Sequence, residues 1–349
     1  MAKSINPNLK LKSRSLKTLA EYLNGLQQGD RFYLSEVLTL VESNNPQQRN
    51  LGEQILNRID LSTKDTLRIG ITGSPGVGKS TFIELLGNHF IKQGKKVAVL
   101  AIDPSSSKSH GSILGDKTRM HSLSTNKNAF VRPTASANML GGVAQSTKES
   151  IALCEAAGYD IILIESVGVG QSETELADLV DIYLLLLLPG GGDGVQGIKR
   201  GVVELADMMI INKYDGEYKL LAEKSRKDFA LSSTLFSHDL SQWAVPVVLC
   251  SSIKDIGFVN IIDKIEAFKS LSKEHSFFSQ KRNTQDKKWL SQQIKKVLIH
   301  KANQLFEANT HLEDKHVSIS VFKQLQVARE NIEVDFKRFM KQKNEFESN

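Results

Sequence analysis

Between residues 16 and 60 the apolar positions return every three or four residues. Leu16, Leu19, Ala20 and Leu23 predict one helical face, and Leu34, Val37, Leu38 and Val41 predict another. The polar stretches "QQGD" (27–30) and "SNNPQQ" (43–48) separate the helices. From Leu67 the period changes. Short apolar runs alternate with helical patterns: "LRIGIT" (67–72), "KVAVLAID" (96–103), "DIILIES" (160–166), "DIYLLLLL" (181–188), "MMIINK" (208–213) and "VPVVLCS" (245–251). Runs that are apolar on both faces and separated by helices predict a mostly parallel sheet with helices on both sides. Past about residue 270 the runs stop. "KKWLSQQIKKVLIHKANQLF" (287–306) lines Leu290, Ile294, Val297, Lys301 and Leu305 along one side of a helix, and 317–340 is also helix-like. These helices carry more apolar residues than a solvated arm requires, which predicts packing on the core or on a second copy. The expected organisation is a helical extension (1–66), an α/β domain (67–270) and a C-terminal helical region (271–349).

Ligands of such sheets bind beyond the carboxyl ends of the strands. The polar, glycine-rich and acidic segments of this chain gather at those ends: "GSPGVGKS", "DPSSS", "ESVGVGQSE", "PGGGDG", "NKYD" and "CSS". Composition adds limits. Cys154 and Cys250 are the only cysteines and lie far apart, which excludes a disulfide framework and a cysteine-built metal site. A net charge of +6 is accounted for by solvated lysine-rich faces and predicts no nucleic-acid partner. The longest apolar run, Ile182 to Leu188, is too short to span a bilayer, so a cytoplasmic chain is expected.

Gly73, Gly78, Lys79 and Ser80 fit G-x-x-x-x-G-K-S/T between a strand and a helix. In this phosphate loop Gly73, Ser74, Pro75, Gly76, Val77, Gly78, Lys79, Ser80 and Thr81 would wrap the phosphates. Backbone N–H groups turn toward the β-phosphate and the helix adds its positive end. Lys79 reaches the β- and γ-phosphates, and the Ser80 hydroxyl joins a Mg²⁺ shell. "NKYD" then names the base. A carboxylate at Asp215 accepts from both N1–H and the 2-amino group of guanine, whereas adenine offers neither donor there, so GTP is the expected nucleotide. Lys213 would lie along the base plane and Asn212 would tie this loop to the phosphate loop. "CSS" (Cys250, Ser251 and Ser252) sits where a backbone amide would meet the guanine O6.

Glu165 in "IESVG", with Gly168 three positions on, stands where many GTPases carry D-x-x-G. The acid faces Mg²⁺ and the glycine senses the γ-phosphate. Val169 follows in place of the glutamine that orients water in Ras-like enzymes, which predicts slow hydrolysis unless another group completes the site. Asp103 is expected at the end of the strand beside the phosphate-loop strand, in place for Mg²⁺ or a catalytic water. Asp116 in "GSILGDKTRM" is a further Mg²⁺ candidate. The loop "PGGGDGVQGIKRG" (189–201) supplies Asp193, Gln196, Lys199 and Arg200 and predicts an additional switch element.

"GITGSPGVGKSTFIELLG", "VAVLAIDPSSSKSHGSILGDKTRM", "RPTASANMLGGVAQ", "LCEAAGYDIILIESVGVGQSE", "QGIKRGVVELAD" and "NKYD" together resemble the MeaB/ArgK family, over roughly residues 16 to 260. The resemblance implies a P-loop NTPase of the dimeric SIMIBI type, with the C-terminal helices forming the dimer arm. It implies a homodimeric G-protein chaperone of methylmalonyl-CoA mutase or a related acyl-CoA mutase. Its GTP hydrolysis would gate adenosylcobalamin delivery and protect the mutase, so that the cobalamin reaches this chain only through its partner. It implies Mg²⁺-linked acids at Asp103, Asp116 and Glu165. It places a third switch on 189–201, with Gln196 and Lys199 tied to partner-stimulated hydrolysis. His110, "GGGDGVQ" and "NKYD" depart from the commoner family residues without removing a phosphate, metal or base contact. Two alternatives remain at this stage. A metal-insertion GTPase would need clustered cysteines or histidines, and an ATP-dependent kinase linked to amino-acid transport would need tolerance of adenine. Replacing Asp215 by Asn is expected to lower affinity for GTP and raise it for a xanthine nucleotide, measured by competition against a labelled guanine nucleotide.

Overall fold

The computed structural model describes residues 16–61, 65–103, 120–135, 142–166, 172–190, 200–233, 240 and 243–309. These build a seven-stranded sheet of β1 (Leu67–Gly73), β2 (Val97–Asp103), β3 (Ala129–Ala135), β4 (Ile161–Ser166), β5 (Ile182–Leu187), β6 (Met208–Ile211) and β7 (Val247–Leu249). The spatial order is β3-β2-β4-β1-β5-β6-β7, and all the pairings are parallel. The solid apolar runs have a simple cause. Ala98, Leu100, Ile162, Ile164, Tyr183, Leu185 and Leu187 enter the core on one face. Their neighbours Val97, Val99, Ile161, Leu163, Ile182, Leu184 and Leu186 enter the core on the other. Both faces are dry, so the alternation of a half-exposed strand is lost.

Two sequence expectations change here. β4 lies between β2 and β1, so Asp103 does not end the strand beside the phosphate-loop strand; Glu165 does, paired in register with Ile71. Order along the chain does not set order in a doubly wound sheet, because each crossover helix can return to either side. β3 was not foreseen. Its Pro133 argues against a strand, but β3 is an edge, where a missing N–H costs no ladder bond.

The N-terminal helices α1 (Leu19–Gln27), α2 (Arg31–Val41) and α3 (Pro46–Leu56) start where local chemistry says they should. Thr18 and Glu21 form a reciprocal capping box, Asp30 caps α2, and Asn45 caps α3 ahead of Pro46. Leu34, Val37, Leu38 and Val41 are fully buried as predicted. The face of α1 is rotated from expectation: Tyr22, Gly25 and Leu26 are buried, while Leu16 and Ala20 are exposed. An aromatic contact decides this, since Tyr22 meets the Tyr33 ring edge-on at 6.2 Å. These helices share one core cluster with β2, β4 and β5. Charge pairs reinforce the join: Arg49 holds Glu149 at 2.9 and 2.6 Å, and Arg132 reaches Glu42 at 2.5 Å.

Among the described residues the remaining α-helices are α4 (Lys79–Lys92), α5 (His121–Thr125), α6 (Gly142–Ala156), α7 (Ser172–Ala177), α8 (Arg200–Glu204), α9 (Lys219–Ser233), α10 (Phe258–Glu274) and α11 (Phe277–Asn309). α4 and α10 cover the second face, with Phe82 and Phe258 at 5.2 Å. The chain divides into two compact units, one up to Gln285 and one from Asp286. In the second unit Leu290, Ile294 and Val297 are more than half exposed. No helix among the described residues is long and apolar enough to cross a membrane.

Besides its apolar contacts, the amino-terminal edge of the sheet carries buried ion pairs. Asp181, fully buried ahead of β5, receives Arg282 at 2.7 and 2.6 Å and the Arg68 backbone N–H at 2.9 Å. Arg68 itself grips buried Glu155 at 2.7 and 2.9 Å. Changing Arg282 to Met leaves buried Asp181 without its cation, and should cost about 3 kcal/mol in urea unfolding, with most of it recovered in an Arg282→Met/Asp181→Asn double variant.

Candidate functional site

β1 ends at Gly73 and α4 begins at Lys79, so the phosphate loop is a turn between a buried strand and a buried helix. Two glycines are obligatory on the geometry. At Gly73 (φ 153°) an added Cβ would lie 2.5 Å from the Leu186 carbonyl oxygen, and at Gly78 (φ 95°) it would lie 2.8 Å from Asn212 Nδ2. Gly78 precedes α4 without a side-chain cap, which leaves first-turn N–H groups directed at an anion. Lys79 Nζ donates to the carbonyls of Gly73 (2.8 Å) and Ser74 (3.3 Å), folding the ammonium back over the loop. Ser74, Pro75 and Gly76 lie toward solvent on the rim, Thr81 is exposed, and Val77 is buried beneath.

Asn212 joins this loop to the segment that carries Lys213 and Asp215. Its Nδ2 donates to the Val77 carbonyl at 2.8 Å, while its Oδ1 accepts from Ser252 N (3.1 Å), Ser252 Oγ (2.9 Å) and Cys250 Sγ (3.4 Å). Burial pushes the Cys250 thiol up to about 12, so it stays protonated and serves as a donor. Lys213 follows in the left-handed region (φ 61°), and the Asp215 N–H donates to the Lys213 carbonyl at 2.8 Å. A non-glycine residue in that region is a local strain that the surrounding loop must hold. Ser251 Oγ donates to Asp215 Oδ2, setting the plane of the carboxylate, and Ser251 is itself pinned by its bridge to Ile256. Asn212, Lys213, Asp215, Cys250, Ser251 and Ser252 therefore form one connected group.

On the opposite side of the phosphate loop, Ser80 Oγ donates to Glu165 Oε1 at 3.3 Å, with Glu165 buried at the end of β4. Beside them Ser166 Oγ donates to Thr72 Oγ1 at 2.8 Å, a buried pair not foreseen from sequence. The two residues lie 94 positions apart, and only the parallel pairing of β1 with β4 brings them together. Tyr214 was likewise not singled out. Its hydroxyl donates to Glu223 at 2.9 Å, which holds the phenol above its usual range. Asp103 closes β2, one strand beyond Glu165. Asp116, Gly168, Val169, Gln196 and Lys199 lie outside the described residues. Among the described residues no group of three His, Cys, Asp or Glu side chains gathers as a metal-holding cluster.

The profile of the family described as "Methylmalonyl Co-A mutase-associated GTPase MeaB" matches residues 34–307. The chain belongs to this family. Among MeaB relatives, the Escherichia coli "GTPase ArgK" is 43% identical over 81% of this chain and 86% of its own. The "Methylmalonic aciduria type A homolog, mitochondrial" of Mus musculus is 42% identical over 76% of this chain and 66% of its own. A crystal structure titled "LAO/AO transport system kinase" superposes with a TM-score of 0.73 at 35% identity, covering 91% of this chain and 100% of that one. That agreement fits the P-loop α/β sheet described above. Within this MeaB site the most exacting contact is the one across loops: Asn212→Ala should weaken GTP binding about tenfold or more, read by calorimetry, since it strips Val77 and Ser252 of a buried partner.

Proposed function

We propose that this MeaB-family GTPase is a Mg²⁺-dependent switch that licenses adenosylcobalamin transfer to, and protection of, methylmalonyl-CoA mutase or a related acyl-CoA mutase. The observation that supports the reading is the Asn212 bridge, which ties the phosphate loop at Val77 to Ser252, next to the Ser251 that holds the Asp215 carboxylate. GTP would lie with its base against Asp215 and Lys213 and its β-phosphate in the amides of Gly76 to Ser80. Lys79 would exchange the carbonyls of Gly73 and Ser74 for phosphate oxygens, and its charge would offset the negative charge that builds during transfer.

Ser80 and Glu165 supply a hydroxyl and a carboxylate close together, a hard-oxygen set suited to Mg²⁺, with Asp103 and Asp116 as further acids. Bound there, the ion would neutralise phosphate charge. Val169 brings no carboxamide to the attacking water, so slow intrinsic turnover follows, and Gln196 and Lys199 are the groups proposed to complete the site when the mutase docks. The region 271–349 is proposed to pair two copies into a homodimer, since Leu290, Ile294 and Val297 are exposed apolar residues at helical spacing. A cytoplasmic location is part of this reading, and the two buried free thiols support a reducing compartment. A transport kinase, the wording carried by the solved relative, would require adenine in a site whose carboxylate has no donor to meet there.

The test is GTP turnover by the chain alone and with methylmalonyl-CoA mutase added. Lys79→Ala is expected to abolish nucleotide binding. Lys199→Ala should keep GTP affinity within about twofold while cancelling the stimulation. Equal loss of the basal and stimulated rates in Lys199→Ala would contradict this division of roles.

A further inference from the structure

The loop that follows β7 is held at its tip by a side chain from the phosphate-loop helix. His89, in the last turn of α4, sets its Nε2 2.6 Å from Asp255 Oδ1. An ionised carboxylate only accepts, so Nε2 carries the hydrogen. Packing fixes the ring. His89 lies parallel to Phe258 with the centroids 5.5 Å apart, and Phe258 meets Phe82 at 5.2 Å. Phe82 and His89 stand two turns apart on one face of α4, so both rest on the buried Phe258 ring. The His89 side chain is 18% exposed and that of Asp255 45%, so the imidazole is the anchored partner and the carboxylate the one it restrains. Asp255 needs that restraint. Its φ of 53° lies in the left-handed region, which a residue with a Cβ seldom adopts unless its surroundings hold it there.

From Asp255 a short series of contacts leads to Asp215. The preceding residue, Lys254, donates its backbone N–H to Ser251 Oγ at 3.1 Å. Ser251 Oγ donates in turn to Asp215 Oδ2. A hydroxyl has one hydrogen, and with the Lys254 N–H on its oxygen that hydrogen is directed at the carboxylate. On the other side of Asp255, Ile256 exchanges two backbone hydrogen bonds with Ser251, at 3.0 and 3.2 Å. Asp255 therefore sits between the two residues that orient Ser251, and a shift of Asp255 disturbs both.

We propose that His89 is a positioning residue for guanine recognition: through Asp255 it fixes the 251–256 turn, and with it the plane of the Asp215 carboxylate. The inference rests on the reading of Asp215 as the guanine acceptor. Guanine presents two donors, N1–H and the 2-amino group, and meeting both requires the carboxylate to lie in the plane of the base. Hypoxanthine presents N1–H without the amino group, so it tolerates a carboxylate that rocks. The preference for guanine over hypoxanthine is then the quantity that His89 controls. The pair adds little to folding, because Asp255 is close to half exposed and water screens it. Since α4 starts at Lys79, the same contact ties the far end of the phosphate-loop helix to the 251–256 turn, a second link beside the Asn212 bridge.

The test is calorimetry of GDP and of inosine diphosphate, each with Mg²⁺, on the full chain and its variants. His89→Phe keeps a ring against Phe258 and removes the donor. His89→Gln returns a donor N–H at a reach close to that of Nε2. Asp255→Gly removes the acceptor and permits the left-handed φ. The unsubstituted chain is expected to hold GDP more tightly than inosine diphosphate by about tenfold or more. In His89→Phe and in Asp255→Gly, GDP should weaken about fivefold and inosine diphosphate by less than about twofold, so that the preference narrows. His89→Gln should keep most of the preference, and His89→Phe/Asp255→Gly should be no worse than either single change. Unfolding temperatures without nucleotide should stay within about 2 °C of the unsubstituted chain. A His89→Phe chain that keeps the full preference, or that loses affinity for both nucleotides equally, would overturn the positioning role. So would a His89→Gln chain as impaired as His89→Phe. Equal affinity of the unsubstituted chain for the two nucleotides would instead overturn the guanine reading of Asp215, and this inference with it.

Discussion

One buried carboxamide connects the two halves of the nucleotide rim. Asn212 gives its N–H to the Val77 carbonyl in the phosphate loop and takes three donors, from Ser252 and Cys250, on its oxygen. Both ends are filled in a place where water does not compete, so neither loop can shift without leaving a dry group unpaired. Gly78 must be glycine because this same amide passes 2.8 Å from where a Cβ would stand. The phosphate loop and the segment from Asn212 to Asp215 are thus tied into one hydrogen-bonded group.

The sheet divides its labour between its two ends. At the carboxyl ends, Lys79, Ser80, Glu165, Asn212 and Asp215 are polar groups gathered at one rim. At the amino ends, Asp181, Glu155, Arg68 and Arg282 form pairs that satisfy one another and hold the start of α11 to the sheet. Placing β4 beside β1 brings Glu165 to within hydrogen-bond reach of Ser80, so the hydroxyl and the carboxylate face the same position.

Much of this was legible in the residues themselves. The phosphate loop, the guanine carboxylate and the helix starts at Thr18, Asp30 and Asn45 depend on contacts within a few positions, and short-range chemistry shows in short stretches. Six of the strands were visible as solid apolar runs because both sheet faces are buried. β3 was hidden because Pro133 is forbidden in a central strand and tolerated at an edge, and being an edge is a property of the assembled sheet. The buried face of α1 was misjudged for a related reason: the pairing of Tyr22 with Tyr33, not the count of leucines, turns the helix.

Alone, then, the sequence determined the family, the GTPase class and the motifs that end the strands at one rim, since each is written in a contiguous stretch. Only the tertiary structure decided that Glu165 rather than Asp103 borders the phosphate loop, that Ser166 reaches Thr72, and that His89 at the end of α4 meets Asp255. Those relations join residues far apart in the chain. They are set by which side of the sheet each crossover returns to and by which helix ends meet, and no local pattern of apolar and polar positions encodes that choice.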